Sequence, residues 1–135
     1  MTDATAPVAP IRRLLLTGAA GTLGRELRQR LKGCCELLRL SDIADLGAAA
    51  PGEELMPAAL EDALAMVGLL AGVDAVVHLG GVSVEGPFEP ILQANIRGLF
   101  NLYEAARLAG TRRIVFASSN HVTGCYEQGR TTHPD

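Results

Sequence analysis

Apolar residues recur along the chain in two different periods. Ile11 to Thr17 (IRRLLLT) is a compact apolar run that stops at Gly18. Consecutive leucines with no alternating polar face suit a strand covered on both sides, as in a parallel sheet. From Gly21 to Leu31 the leucines stand at Leu23, Leu27 and Leu31 while Arg25, Arg28 and Arg30 turn elsewhere, which predicts an amphipathic helix. Glu36–Leu40 (ELLRL) predicts a second strand, followed by Ser41-Asp42, and the Ala/Gly/Pro-rich residues 44–52 read as loop. A short third strand is expected near Glu54–Met56 and a helix over Leu60–Leu70, closed by Gly72. Ala75–Leu79 (AVVHL) and Arg112–Ala117 (RRIVFA) predict two more strands. The longest helical pattern runs from Pro90, suited to a first turn, to Ala109, with Leu92, Ile96, Leu99, Tyr103 and Ala106 on one stripe and Gly110 beyond its end.

Strands and helices therefore alternate throughout, the pattern of an α/β fold. The expectation is a Rossmann-type doubly wound parallel sheet in the order 3-2-1-4-5, incomplete at its C-terminal side. Ligands of such a sheet bind beyond the carboxyl ends of the strands, near the switch between strands 1 and 4. No internal repeat or domain linker interrupts the pattern. Residues 1–10 (MTDATAPVAP) read as a disordered tail and residues 11–135 as one domain.

Composition narrows the classes of function. A chain of 135 residues that is 48% hydrophobic can build one real core. Its net charge of −3 argues against a nucleic-acid partner, which would need a basic face. Cys34 and Cys35 are adjacent and Cys125 stands alone, so neither a disulfide framework nor a metal-binding spacing is present, and a reducing, cytoplasmic compartment is expected. His78, His121 and His133 are too far apart in sequence to suggest a metal cluster. The first ten residues lack the basic start and apolar core of a secretory signal. Ala63–Val82 is apolar enough to suggest a membrane span, but Gly72, Asp74 and His78 break it into helix, turn and buried strand.

Candidate chemistry begins where strand 1 hands over to the first helix. Gly18-Ala19-Ala20-Gly21-Thr22-Leu23-Gly24 places three glycines there. The first permits a tight turn, the second lets a pyrophosphate approach the backbone, and the third allows helix and strand to pack closely. The unpaired N–H groups of the helix start favour an anion. Asp42 closes strand 2, about 18 residues after Gly24, where an acidic residue meets the adenosine ribose hydroxyls and would repel a 2′-phosphate. The expected cofactor is therefore NAD over NADP. Asp42 has an alternative reading as a turn-forming residue, and Asp45 competes with it for the ribose.

The GxxGxxG spacing resembles that of the extended short-chain dehydrogenases/reductases. The segments HLGGVSVEGPFEPILQANIRGLFNLYEAAR (78–107) and RIVFASSNHVTG (113–124) resemble uronate dehydrogenases in particular. The resemblance implies oxidation of D-galacturonate or D-glucuronate at C1 to the aldarolactone, with NAD⁺ as acceptor. It implies that Ile43, Leu60, Leu79, Gly80 and Gly81 line the cofactor along with the glycine loop, and that Ser83 contacts substrate. Asn95 would brace the active site, its plainer reading being a satisfied core amide. Ser119 would hold the sugar C1 hydroxyl, and Asn120 and His121 would bind the sugar's hydroxyls or carboxylate. Ser118 and Ser119 have a plainer reading as strand-terminating serines, and His78 is read as structural. The complete enzyme would take a sugar acid as substrate and could assemble as a homo-oligomer, with no nucleic acid or membrane partner.

The chain departs from this pattern twice. Where the family carries an Asp-Leu pair after strand 3, whose Asp meets the adenine amino group, this chain has Ala59-Leu60, so that bond is lost unless Glu61 or Asp62 replaces it. The family's Tyr-x-x-x-Lys has no counterpart, since Lys32 is the single lysine; Tyr103…Arg107 and Tyr126…Arg130 have the spacing but the wrong cation. A lysine is needed to lower the tyrosine pKa so that its phenolate can accept the hydroxyl proton. The expectation is thus the cofactor-binding half of a dehydrogenase, truncated before its Tyr-x-x-x-Lys helix, inactive alone, with strand 5 left as an apolar edge. Another extended family member (a sugar-nucleotide epimerase or dehydratase) and a non-catalytic NAD-binding module are the alternatives.

Overall fold

The computed structural model describes residues 9–119. Five strands form one parallel sheet in the order β3-β2-β1-β4-β5: β1 Arg13–Thr17, β2 Leu37–Ser41, β3 Glu53–Leu55, β4 Ala75–His78 and β5 Arg113–Phe116. Helix α1 (Thr22–Arg30) connects β1 to β2, and α2 (Ala63–Leu70) connects β3 to β4. The β4–β5 connection starts as the short helix α3 (Phe88–Ile91), passes through a π-helical stretch (Leu92–Arg97) and continues as α4 (Gly98–Ala109). The strand order is the one read from the sequence. β4 is a residue shorter than expected, α2 starts three residues later, and the last helix begins before Pro90.

The leucine run of β1 is explained by what lies on each side of it. Leu15 joins Met66, Leu69, Leu70, Val76, Leu102 and Ala105 on one face of the sheet. Leu14 and Leu16 join Leu38, Leu40, Leu46 and Ala75 on the other, where Leu27 of α1 and Leu31 at its C-cap pack against them. Successive side chains of a strand point to opposite faces, so a strand between two helical layers has no polar face to show.

Two apolar stripes differ from the sequence expectation. Leu23 heads the α1 stripe but is 56% exposed; the helix buries Gly24 instead, and Leu23 stands at its open end. In the last helix Ile96 and Tyr103 are exposed, and the buried residues are Gly98, Leu102, Ala105 and Ala106. Each π-helical turn holds more residues than an α-turn, so the Leu92–Arg97 stretch rotates the face that α4 presents to the core. Small residues on that face let α4 lie close against its neighbours: a Cβ on Gly98 would come within 2.6 Å of Leu60 Cβ.

Two arginines hold the β2–β3 side in place. Arg39, at the centre of β2 and 5% exposed, donates from Nη1 to the carbonyls of Leu69 (2.6 Å) and Ala71 (3.1 Å) at the end of α2, and from Nε to Glu54 (2.8 Å). Arg28 of α1 grips the Glu53 carboxylate with two nitrogens (3.0 and 2.6 Å) and donates to the carbonyls of Leu46 and Ala48. The Arg28 guanidinium in turn holds the Glu53 carboxyl below its ordinary range.

Candidate functional site

The carboxyl ends of β1, β2 and β4 open into a cleft of about 660 Å³, whose lining includes Gly18, Gly21, Thr22, Leu23, Gly24, Asp42, Ile43, Leu60, Leu79, Gly80, Gly81 and Ser83. It lies where the chain reverses direction across the sheet, with β2 on one side of β1 and β4 on the other. All eleven residues expected to line a dinucleotide are brought together here.

The glycine loop owes its shape to backbone crowding. Gly18 has φ +68°, a conformation that costs residues with a Cβ, and a Cβ there would stand 2.7 Å from the Leu79 carbonyl carbon. A Cβ on Gly24 would collide with the Gly18 carbonyl oxygen, so the first turn of α1 lies directly on the loop. Gly21 is different: its backbone is ordinary (φ −70°, ψ 170°), and a Cβ would meet only the Gly18 oxygen, at 3.3 Å. Gly21 precedes the first turn of α1, and no side chain caps that turn. Its free N–H groups form the anion-accepting end of the cleft. A pyrophosphate therefore fits the residues present.

Asp42 forms the turn that was one of its two sequence readings, and it also ties down the glycine loop. Its Oδ1 accepts from the Ala44 N–H (3.0 Å), making a local turn, and its Oδ2 accepts from the Ala20 N–H (3.0 Å) in the glycine loop. Each carboxylate oxygen keeps a further lone pair for a hydroxyl donor in the cleft. Asp45 accepts from the Gly47 N–H (2.9 Å) and is absent from the cleft lining. Near the Ala59-Leu60 pair, Asp62 accepts from the Ala65 N–H (2.9 Å) as the N-cap of α2, while Glu61 lines the cleft. Asn101 of α4 donates to the carbonyls of Leu60 and Glu61 (both 3.1 Å) and so fixes this wall.

A second cavity of about 760 Å³ shares the Leu79–Ser83 wall and extends toward β5, reaching Glu85, Asn95, Phe116, Ser118 and Ser119. Asn95 sits in the π-helical stretch and clamps Val82, accepting from its N–H (2.7 Å) and donating to its carbonyl (2.8 Å). A Cβ on Gly81 would come within 2.8 Å of the Asn95 Oδ1. Asn95 is thus a brace for the wall between the cavities. Asn120 and His121 lie outside the described residues. His78 ends β4 at 1% exposure, and burial pushes its ring pKa down to about 4, so it is neutral. Among the described residues no group of three or more His, Cys, Asp or Glu is placed to hold a metal ion, and no helix is long and apolar enough to cross a membrane.

Several contributors escaped the sequence reading. Thr17 and Ser41 are buried polar residues that each follow a leucine at the end of a strand, a visible signal. Asn101 and Gly98 carry no such signal, because their partners are about 40 residues away in sequence.

Residues 14–134 match the model of the NAD dependent epimerase/dehydratase family. The chain is 58% identical over 120 residues to a uronate dehydrogenase of Pseudomonas putida, a match covering 88% of this chain and 45% of the relative. A crystal structure of uronate dehydrogenase from Agrobacterium tumefaciens, a mutant complexed with NAD, superposes with a TM-score of 0.79 at 60% identity, over 82% of this chain and 42% of that one. The glucuronic acid dehydrogenase from Chromohalobacter salexigens superposes with a TM-score of 0.83 at 55% identity, over 86% of this chain and 44% of that one. The chain spans about half the length of the curated relatives it matches. The glycine-loop cleft, the 3-2-1-4-5 sheet beneath it and a family match running through both lead to one assignment: the chain belongs to the NAD dependent epimerase/dehydratase family.

Proposed function

We propose that the chain is the cofactor-binding portion of an NAD-dependent dehydrogenase that oxidises a uronic acid at C1. The observation that carries this reading is the glycine-loop cleft, sharing a wall with a second cavity that Ser83, Glu85, Asn95 and Ser119 line, in a chain 60% identical to a uronate dehydrogenase crystallised with NAD. Gly18, Gly21 and Gly24, with the free N–H groups of α1, hold the pyrophosphate. Asp42 accepts from the adenosine ribose hydroxyls, and its negative charge disfavours a 2′-phosphate. Ile43 and Leu60 supply apolar walls. When bound, NAD supplies the acceptor for the hydride leaving C1.

The second cavity then takes the sugar acid. Ser83 contacts the sugar, Ser119 holds the C1 hydroxyl, and Asn120 and His121 bind the remaining hydroxyls or the carboxylate. A proton acceptor for that hydroxyl is still needed, and the Tyr-x-x-x-Lys pair that would serve is absent from these 135 residues. The reading extends to a homo-oligomeric, cytoplasmic enzyme for the whole protein.

Calorimetric titration of the chain with NAD⁺ and NADP⁺ tests the cofactor half. Binding of NAD⁺ in preference to NADP⁺ is expected, and no binding of either refutes the reading. The chain mixed with NAD⁺ and galacturonate is expected to form no NADH; NADH formation would show that the chemistry needs no Tyr-x-x-x-Lys pair. Substrate profiling of a chain completed with the second half of a relative separates a uronate dehydrogenase from an epimerase or dehydratase.

A further inference from the structure

The buried polar and charged residues described are Thr17, Arg39, Ser41 and His78. Three of them form one rung of the sheet. Ser41 is in register with Thr17, Thr17 with His78, and His78 with Phe116, at the carboxyl ends of the strands. One rung back, the same strands present Leu40, Leu16, Val77 and Val115. Polar side chains in a core cost stability unless they are paired. Arg39, two rungs back, is paired with Glu54 and the carbonyls at the end of α2, and the other three share the rung that faces the two cavities.

The pairing within that rung is close. Thr17 Oγ1 and His78 Nδ1 lie 2.6 Å apart, at 2% and 1% residue exposure. The Gly80 N–H donates to the same Oγ1 (3.3 Å). With Gly80 donating to one of its lone pairs, Oγ1 can give its own proton to Nδ1, an arrangement that places the imidazole proton on Nε2. The ring is stacked on Phe116, with centroids 5.6 Å apart and planes 21° from parallel. Gly80 rests on this pair: a Cβ there would stand 3.4 Å from both Thr17 Oγ1 and His78 Cε1. Thr17 lines the first cavity, His78 the second, and Gly80 both.

We propose that Thr17 and His78 are positioning residues, which hold the Gly80 backbone, and with it the wall shared by the two cavities, in the place that admits the dinucleotide. Neither needs to touch the reacting atoms. The hydroxyl is the junction, because it bonds to both the strand-end imidazole and the loop beyond it. This proposal rests on the reading that the first cavity takes NAD.

The test uses the full chain with Thr17→Val, which keeps the side-chain shape and removes the hydroxyl, and Thr17→Ser, which keeps the hydroxyl. NAD⁺ affinity is measured by calorimetry, and the imidazole nitrogens of His78 are read by NMR after ¹⁵N-histidine labelling, with His78→Phe supplying the assignment. Thr17→Val is expected to weaken NAD⁺ binding about tenfold, the effect of leaving buried partners unpaired, while Thr17→Ser stays within about threefold of wild type. The wild-type and Ser chains are expected to show a protonated Nε2 and a bare Nδ1, and the Val variant is expected to lose that pattern. Equal affinity of Val and wild-type chains, or a Ser variant as weak as Val, overturns the proposal while leaving the cofactor reading intact. A wild-type chain that binds no NAD⁺ overturns the cofactor reading itself. Should Thr17→Val not fold, the ligand-free spectrum decides: a protonated Nδ1 in the wild-type chain overturns the proposal, and a bare Nδ1 kept in the Ser variant supports it.

Discussion

The three glycines of the β1–α1 loop fail in different ways when each is replaced by alanine, and the structure says how. In Gly18→Ala the backbone at φ +68° costs about 1–2 kcal/mol for a residue with a Cβ. The new methyl also stands 2.7 Å from the Leu79 carbonyl carbon, where backbone must move, at about 1–3 kcal/mol. The expected loss is thus roughly 2–5 kcal/mol, a large part of the ~5–15 kcal/mol that holds a domain together. Gly24→Ala gains up to ~1 kcal/mol of helix propensity but drives its Cβ into the Gly18 oxygen, for a net loss of about 1–3 kcal/mol. Gly21→Ala keeps an ordinary backbone and meets only the Gly18 oxygen at 3.3 Å, so stability stays within ~0.5 kcal/mol. Its methyl stands at the cleft lining, however, and NAD⁺ affinity is expected to fall by about tenfold or more, a steric cost of ~1.4 kcal/mol. Urea denaturation reads the stabilities and calorimetry the affinities, on the same three proteins. The reasoning is refuted if Gly21→Ala is as destabilised as Gly18→Ala, or if it binds NAD⁺ like the wild type.

Burial lowers the His78 pKa to about 4, against about 6.5 in an unfolded chain. The unfolded state then binds the extra proton first, so stability falls as pH drops from about 6.5 toward 4, by at most roughly 3 kcal/mol. Urea midpoints measured between about pH 7 and 5.5, above the range where most carboxylates titrate, should show the start of this slope in the wild type and lose it in His78→Phe. Arg39→Met keeps the apolar bulk but orphans the Leu69 and Ala71 carbonyls, and is expected to cost about 2–5 kcal/mol by urea unfolding; a loss under ~1 kcal/mol would show that water replaces the guanidinium. Asp42→Ala is expected to weaken NAD⁺ binding and narrow the preference over NADP⁺, as measured by paired titrations, and an unchanged preference would remove Asp42 from the ribose role.

Much of this protein is decided by local sequence. Leucine runs and helical spacing determine five strands and the helices between them, because burial on both faces of a parallel sheet leaves a continuous apolar signature. The glycine loop is equally legible as a motif, and Gly24 answers crowding from its near neighbours Gly18 and Ala19, whereas Gly18 is crowded by the Leu79 backbone, which reaches it only once β4 lies beside β1. Tertiary structure decided the rest. Leu23 continues a helical leucine series yet stands in the cleft, because the helix meets the loop through Gly24. The stripe Leu92, Ile96, Leu99, Tyr103, Ala106 gives way to Gly98, Leu102, Ala105 and Ala106, because a π-helical stretch turns the helix after Ile91. Asp62 and Glu61 differ in role only because α2 begins where it does and uses Asp62 as its cap. Thr17 and His78 are 61 residues apart in sequence, and parallel pairing of β1 with β4 sets them side by side. Periodicity records which face of an element is dry; which polar groups meet across elements depends on register and approach distance, and these exist only once the sheet is assembled.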